Sequence, residues 1–282
     1  MPELPEVETI RRQIDHALRD KTVERFELRH PDVWHSAPGS DDPALLDGAK
    51  LTSVDRRGKY LLAHFSPDLI LIIHLRMTGQ LLLKPLEAPL APHTNASFYF
   101  PELRLDFRDV RRFGRLELSR VNEPWASKAT LETLGPEPLT EAYTVAWLRG
   151  KAKRHQGLQS KAFLLNQQVI AGLGNIYVDE ILHRSRIHPA RPVRHLKTAD
   201  FTRIREATQA IITQALELGG SSFSDYLHAD GSQGSYIKVA AVYGRAGQPC
   251  LSCGTTLEKT RIAGRGTVYC PQCQKAPRSF KP

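Results

Sequence analysis

Four cysteines near the end of the chain place the tightest constraint on its fold. They form two Cys-x2-Cys pairs separated by sixteen residues, and they are all the cysteines in the sequence: Cys250, Cys253, Cys270 and Cys273. This spacing is typical of a tetrahedral Zn²⁺ site that closes a small β-hairpin. Disulfide bonds are the alternative, which the lack of an export signal disfavours. Because four thiolates leave no open coordination position, we expect one structural zinc ion that fixes a hairpin presenting Arg261 and Arg265.

Composition and charge narrow the class of protein. The chain has 282 residues, 41% of them hydrophobic, which is enough for two folded domains or for one domain with attachments. Its longest apolar run is far too short to cross a bilayer, and the acidic N-terminus does not resemble a secretory signal, so we expect a cytoplasmic protein. Residues 1–141 carry 19 Lys and Arg against 22 Asp and Glu, whereas residues 142–282 carry 20 against 8. The basic second half predicts a polyanionic partner, with nucleic acid the leading candidate; a merely soluble basic surface is the alternative.

Hydrophobic periodicity predicts an α+β multidomain protein. One N-terminal helix precedes short alternating apolar runs over residues 51–118, which are typical of a β-sandwich or barrel-like domain. Helical periodicity follows up to Leu218. The predicted domains are residues 1–133, a proline-rich linker at 134–139, a helical domain at 140–240 and a zinc finger at 241–282. Within the helical domain, the Gly- and Ser-rich segment 219–238 is predicted to be a mobile loop, with a plain linker as the alternative.

Several further motifs contain residues that suit a binding site. GLGNIYVDEIL places Asn175 where a glycine-rich turn starts a helix, an arrangement that can bind an anion. Taken alone, the motif is better explained by a tight turn between helices, but the nearby basic stretch HPARPVRHLK supports an anion site. HLRMTG and DVRRFGR place Met77, Arg112 and Phe113 at strand ends, where they could stack on bases or belong to the core. RRGKY contains Lys59, whose alternative is a solvated surface lysine.

The opening MPELPEVETI has two interpretations. Pro5 and the glutamates suit the first turn of an ordinary helix, for which Pro2 and Glu3 are only a lead-in. In the second interpretation, Pro2 and Glu3 have a role of their own, which only the rest of the chain can decide. The local sequence alone favours the first.

The motifs together resemble those of bacterial formamidopyrimidine-DNA glycosylases, which excise 8-oxoguanine and ring-opened purines. The resemblance covers the whole chain and rests on the motifs PELPEVET, RRGKYLL, HLRMTG, DVRRFG, GNIYVDE and the paired cysteines with YCPQC. It implies an N-terminal β-sandwich with an N-terminal helix, a helix-two-turn-helix domain and a C-terminal four-cysteine zinc finger. Val110 stands where the family often has proline, and segments 154–161 and 219–238 match no family pattern residue by residue.

The resemblance also implies a site. Pro2 would attack C1′ of the damaged nucleotide and form a Schiff base, Glu3 would transfer protons, Glu6 would support the site, and Lys59 would contact the lesion side. The implied DNA contacts are His74, Met77, Arg112, Phe113, Lys161, Asn175 and Arg265. Met77, Arg112 and Phe113 would fill the space left by the extruded nucleotide, over which loop 219–238 would close. The implied partner is damaged double-stranded DNA, bound by a monomer.

Two other functions are open at this point. A non-catalytic DNA-binding protein could use the same fold, although the intact set of Pro2, Glu3, Glu6 and Lys59 argues against it. The related enzymes that act on oxidised pyrimidines typically have glycine where this chain has Leu4, which favours the purine branch.

Overall fold

The computed structural model describes residues 2–36, 42–122, 127–221, 227–277 and 280. It contains two compact units: Met1–Thr133 with Gly219–Gly234, and Leu134–Leu218 with Ser235–Pro282. The strands pair mostly antiparallel, and most of the described α-helices lie in the second unit, so the predicted α+β multidomain class is confirmed. Among the described helices, none combines the length and the apolar character needed to cross a membrane.

Helix α1, Leu4–Leu18, opens the first unit. Pro5 lies in its first turn, where a missing N–H costs no hydrogen bond. The Glu6 carboxylate accepts a hydrogen bond from the backbone N–H of Glu3, the residue that caps the helix, at 2.8 Å. The buried face that packs into the core of this unit consists of Val7, Ile10, Ile14 and Leu18. The predicted amphipathic helix therefore forms, and its start orients the glutamates.

Two β-sheets make up most of the first unit. The strands of the first are β1 (Arg25–Leu28), β6 (Gln80–Pro85), β7 (Thr94–Tyr99) and β8 (Leu103–Arg108), in the order β1-β7-β8-β6. Those of the second are β2 (Trp34–Ser36), β3 (Leu51–Arg57), β4 (Tyr60–Phe65), β5 (Leu69–His74) and β9 (Arg115–Arg120), in the order β2-β9-β5-β4-β3. One hydrophobic cluster contains side chains of both sheets, including Leu71 of β5 and Phe98 of β7. The predicted β-sandwich is confirmed. The short helix α2, Lys128–Thr133, follows it.

Two connections of the sandwich pass from one sheet to the other at the same edge. Residues 75–79 join β5 to β6, and residues 109–114 join β8 to β9. His74 pairs with Arg115 in one sheet and Gln80 pairs with Arg108 in the other, so both ends of the two connections are neighbours. Strand pairing in both sheets thus brings the HLRMTG and DVRRFG motifs together.

The described ends of segment 219–234 belong to the first unit rather than to the helical domain in which the sequence prediction placed them. Ala229 is fully buried in the sandwich core. Its backbone N–H donates to the side chain of Gln13 at 2.8 Å, and its carbonyl accepts from the N–H of Leu83 at 2.7 Å. These contacts, made more than a hundred residues away in sequence, outweigh the proximity of the segment to the helical domain along the chain. Residues 222–226 of the predicted loop lie outside the described residues.

The second unit contains the remaining helices and one hairpin. They are α3 (Val145–Arg154), α4 (Ser160–Leu165), α5 (Asn175–Arg184), α6 (Thr198–Glu217), β10 (Glu258–Ile262) and β11 (Arg265–Tyr269). The predicted linker 134–139 is part of this unit: the Gly135 N–H donates to the carbonyl of Gln167 at 2.8 Å, and the Pro136 carbonyl accepts from Ala171 at 3.1 Å. The zinc-finger segment is included in the same compact unit.

Candidate functional site

Buried carboxylates surround the N-terminal residues. Pro2 is buried, and Glu3 and Glu6 are each 2% exposed. One oxygen of Glu6 accepts from the backbone N–H of Glu3, and the other accepts from the N–H of Ser221 at 2.6 Å and from its hydroxyl at 3.0 Å. Glu6 therefore connects the start of α1 directly to the entry of the 219–234 segment.

Gly220 shows how closely that segment approaches Glu6. Its φ is +79°, and a Cβ at this position would lie 2.7 Å from a carboxylate oxygen of Glu6. Both the conformation and the close approach require glycine. The sequence suggested only a mobile loop here and did not identify Ser221 as a partner of Glu6, because the two residues are 215 positions apart.

Lys59 and His74 lie near one another at the ends of adjacent strands. Lys59 is 7% exposed and precedes Tyr60, the residue that pairs with His74 across β4 and β5. The Tyr60 and His74 rings meet edge to face with centroids 4.4 Å apart. Burial, reinforced by the positive charges of Arg76 and Lys59, lowers the pKa of His74 from 6.5 to about 3.

The His74 imidazole is consequently neutral at pH 7. Its Nδ1 accepts a hydrogen bond from the Arg76 N–H at 2.9 Å, so the proton resides on Nε2. The sequence predicts a phosphate contact at His74. The structure limits such a contact to a neutral N–H donor, since burial excludes the imidazolium.

Met77, Arg112 and Phe113 occupy the two connections at one edge of the sandwich. Met77 and Phe113 are each 50% exposed, which argues against the alternative that they belong to the core. Arg112 has a φ of +53°, and its guanidinium pairs with Asp32 at 3.3 Å. Arg111, which the sequence prediction did not include, lies over the Phe113 ring at 4.5 Å and contacts the Met77 sulfur at 3.6 Å.

In the second unit, Asn175 and Arg265 lie close together. Asn175 begins α5, where the positive end of the helix dipole favours an anion. Its side-chain amide donates to the carbonyl of Gly266 at 3.0 Å. Arg265, next to Gly266 at the start of β11, is exposed. The two predicted phosphate contacts thus share one surface of the second unit.

Lys161 differs from the other predicted DNA contacts because its side chain is fully buried. Its ammonium lies 2.7 Å from a carboxylate oxygen of Asp179 and donates to the Gly266 carbonyl at 3.0 Å and to the Thr267 hydroxyl at 2.8 Å. Burial raises the pKa of the Asp179 carboxyl to about 6, against the opposing charge of Lys161. Lys161 therefore holds the β10–β11 hairpin to α5 and presents no charge to a ligand at the surface.

Asp179 was absent from the sequence prediction, although a signal for it exists. It lies four positions after Asn175, which places both side chains on the same face of α5. Its second carboxylate oxygen accepts from the Val268 N–H at 3.2 Å. Asp179 and Lys161 together hold the surface that carries Asn175 and Arg265.

The four cysteines form a metal site. The sulfur atoms of Cys250, Cys253, Cys270 and Cys273 all lie within 4.8 Å of one another. A tetrahedral zinc ion with Zn–S bonds of about 2.3 Å needs sulfur atoms about 3.8 Å apart, so the group fits. The imidazole Nε2 of His183 lies 3.4 Å from the Cys250 sulfur and can support that ligand from outside the cluster. The predicted structural zinc site is confirmed.

Family models match the chain in three successive segments. They are the formamidopyrimidine-DNA glycosylase N-terminal domain at residues 1–116, the formamidopyrimidine-DNA glycosylase H2TH domain at residues 134–226, and a zinc finger found in FPG and IleRS at residues 247–276. Together with the sandwich, the helical unit and the cysteine cluster, they define the protein as a zinc-containing DNA glycosylase of DNA repair.

Individual relatives agree with these matches. Formamidopyrimidine-DNA glycosylase from Moorella thermoacetica is 44% identical over 93% of this chain and 95% of its own length. The enzyme of the same name from Bacillus cereus is 39% identical over 97% of this chain and 99% of its own length. The crystal structure of MutM (Fpg) from Thermus thermophilus is 40% identical, with a TM-score of 0.87 over 98% of this chain and all of its own. The Lactococcus lactis Fpg complex with DNA containing an abasic site is 34% identical, with a TM-score of 0.86 over 97% and 100%. The chain belongs to the formamidopyrimidine-DNA glycosylase family.

Proposed function

We propose that this protein is a bifunctional glycosylase and abasic-site lyase that removes oxidised purines, including 8-oxoguanine and formamidopyrimidines, from double-stranded DNA. The observation that carries the proposal is the buried Pro2–Glu3–Glu6 group, in which Glu6 binds the backbone N–H of Glu3 and that of Ser221. Structures similar to this chain hold Fapy-dG or carbocyclic 8-oxo-G in DNA, which supports the choice of substrate.

The nucleophile is the Pro2 nitrogen after removal of Met1. An α-amino group, with an ordinary pKa near 8, supplies roughly a hundredfold more neutral amine at pH 7 than a lysine does. The nitrogen attacks C1′, the glycosidic bond breaks, and the base leaves with the bonding electrons and takes up a proton from solvent. The amine loses its only proton to Glu3, which then protonates the ring oxygen O4′. The C1′–O4′ bond breaks, and the product is a cationic iminium.

The iminium accounts for the lyase steps. Because proline is a secondary amine, the nitrogen has no second proton to lose, and the cation persists as an electron sink. Loss of a C2′ proton sends electrons to this nitrogen, and the C3′–O bond breaks with departure of one phosphate. A second elimination breaks the C5′–O bond. Glu3, buried and next to Pro2 in the chain, is the carboxyl group that moves these protons.

The other residues bind and hold the DNA. Asn175 and Arg265 bind phosphates flanking the lesion, while Lys59 and the neutral N–H of His74 contact the strand at the first unit. Met77, Arg112 and Phe113 enter the space left by the extruded nucleotide, which offsets an unstacking cost of a few kcal/mol. A zinc ion on the four cysteines would hold the hairpin that carries Arg265. Loop 219–238 closes over the flipped base, and the hydrogen bonds of Ser221 to Glu6 fix its entry.

Borohydride trapping tests the proposal. A chain shown by intact mass to lack Met1 is expected to form a covalent adduct with an 8-oxoguanine duplex, and peptide mapping is expected to find the modification on Pro2. The matched control is the same chain with one uncleaved residue before Pro2, which turns the nitrogen into an unreactive tertiary amide.

Two further experiments test the role of Glu3 and the choice of substrate. Glu3→Gln is expected to retain lesion binding while excision falls by about 10²- to 10⁴-fold, as loss of general acid–base catalysis implies. Excision of 8-oxoguanine opposite cytosine is expected to exceed excision of thymine glycol. An adduct that maps to a lysine, or binding without strand cleavage by the processed chain, would reject the proposal in favour of another nucleophile or a non-catalytic binder.

A further inference from the structure

The Asp109 side chain lies between the two connections of the sandwich, residues 75–79 and 109–114, which carry the exposed side chains of Met77 and Phe113. It is 1% exposed although it carries a carboxylate. One oxygen accepts from the Gly114 N–H at 2.7 Å, and the other accepts from the Arg111 N–H at 3.1 Å. These two bonds fold residues 109–114 around the carboxylate, so the positions of Arg112 and Phe113 depend on it.

A third hydrogen bond links this turn to the other connection. The hydroxyl of Thr78, the residue after Met77, donates to the same Asp109 oxygen that accepts from Arg111. The backbone of Asp109 is held as well: its carbonyl accepts from the Asn95 side chain at 2.9 Å, and its N–H donates to the His93 carbonyl at 3.0 Å. Asp109 is therefore held beside the start of β7, and its side chain reaches both connections.

Two glycines allow the backbone of these turns to pass close to neighbouring groups. A Cβ on Gly114 would lie 2.6 Å from the Phe107 ring and 3.0 Å from the Asp109 carboxylate. A Cβ on Gly79 would lie 2.5 Å from the Leu75 carbonyl. The close approach of backbone to Asp109 at Gly114 is what allows its short hydrogen bond.

We propose that Asp109, through Thr78, is a positioning residue that sets the spacing between Met77 and Phe113 and thereby makes the pair fit the gap in the duplex. The inference rests on the proposed function. Met77 and Phe113 are each half exposed, so their mutual packing, mediated by Arg111, supplies little to hold them in place. The buried carboxylate supplies that restraint, because hydrogen bonds to a charged group are stronger than those between neutral groups.

Thr78→Val and Thr78→Ser form a matched pair that tests this. Valine has the shape of threonine and removes only the hydroxyl, whereas serine keeps the hydroxyl. Single-turnover excision of 8-oxoguanine opposite cytosine is expected to fall about tenfold in Thr78→Val, the size of effect that loss of a charged hydrogen bond produces, and to stay within about twofold of wild type in Thr78→Ser. Asp109→Asn, whose amide would face the Gly114 N–H, is expected to lose at least as much.

The readouts separate positioning from a general loss of structure. Borohydride trapping on a preformed abasic site, where no base needs to be extruded, is expected to remain within about twofold of wild type in Thr78→Val. A 2-aminopurine placed next to the lesion is expected to show less unstacking on binding. Equal excision and equal 2-aminopurine signal in the valine and serine variants would overturn the inference, as would an equal loss on the abasic site. Failure of wild type on both substrates would reject the proposed function instead.

Discussion

The His74 imidazole lies between the Tyr60 ring and the Arg76 backbone with 9% of its surface exposed. Its hydrogen bonds require the neutral tautomer with the proton on Nε2, and burial beside Arg76 and Lys59 keeps it neutral. At the scale of residues, burial and the Arg76 N–H on Nδ1 together favour the neutral His74 imidazole.

His74 is expected to make folding sensitive to acid. The unfolded chain takes up a proton on this imidazole near pH 6.5, whereas the folded chain does so only near pH 3, so stability is present above pH 6.5 and falls as the pH drops below it. Between pH 8 and pH 5 wild type is expected to lose about 2 kcal/mol relative to His74→Asn, which keeps an acceptor for the Arg76 N–H. Urea unfolding of both proteins at the two pH values measures this. A difference between them that does not change with pH would contradict it.

At the scale of elements, helix α5 and the β10–β11 hairpin are held together by buried contacts. Lys161 and Asp179, both buried, connect them through the backbone of Gly266 and Val268. The surface that carries Asn175 and Arg265 is therefore made by contacts beneath it. Zinc and the ion pair hold opposite ends of the same hairpin.

Lys161→Met is expected to lower the local free energy of unfolding of α5 and the β10–β11 hairpin by about 3–5 kcal/mol, because it leaves the Asp179 carboxylate buried without its partner. Hydrogen exchange of the α5 amides gives the local free energy. Lys153→Met, the same change at an exposed position of α3, is the control and is expected to have little effect. The double variant Lys161→Met with Asp179→Leu is expected to recover most of the loss. A Lys161→Met variant with unchanged exchange but a weaker salt dependence of DNA binding would instead identify Lys161 as a phosphate contact.

At the scale of the whole molecule, the chain concentrates its excess positive charge in residues 142–282, which include the zinc site and the surface of Asn175 and Arg265. The first unit contains the buried carboxylates of Glu3 and Glu6 and the exposed apolar side chains of Met77 and Phe113. Chemistry and phosphate binding are thus assigned mainly to different units in the proposed function. The monomeric state and the cytoplasmic location stay predictions.

Zinc removal is expected to affect the two units differently. A module of this size depends on its metal for folding, with apparent binding energies of about 10–16 kcal/mol in zinc-finger peptides. After chelation, the amides of β10 and β11 are expected to exchange rapidly, while those of β4 and β5 keep their protection. DNA binding is expected to fall with the loss of the Arg265 surface. Unchanged protection of the hairpin in a chain shown by elemental analysis to hold no zinc would contradict the prediction.

By itself, the sequence determined the features that depend on neighbours along the chain. The Cys-x2-Cys spacing, the proline and glutamates that start α1 and the alternating runs of the sandwich strands all act over short distances, so their patterns predicted the zinc site, the helix and the sheets. The motifs also identified the family.

Only the tertiary structure decided what distant residues do to one another. The family resemblance implies a DNA contact at Lys161, but its ammonium is buried against the Gly266 carbonyl, 105 positions away, and the Asp179 carboxylate. Glu6 accepts hydrogen bonds from Ser221, 215 positions away. In the sequence Asp109 is an ordinary turn residue, and only the fold shows that Thr78 donates to it from the other connection. Burial and long-range hydrogen bonds set the charge and partner of each group, and these depend on the packed chain rather than on local pattern.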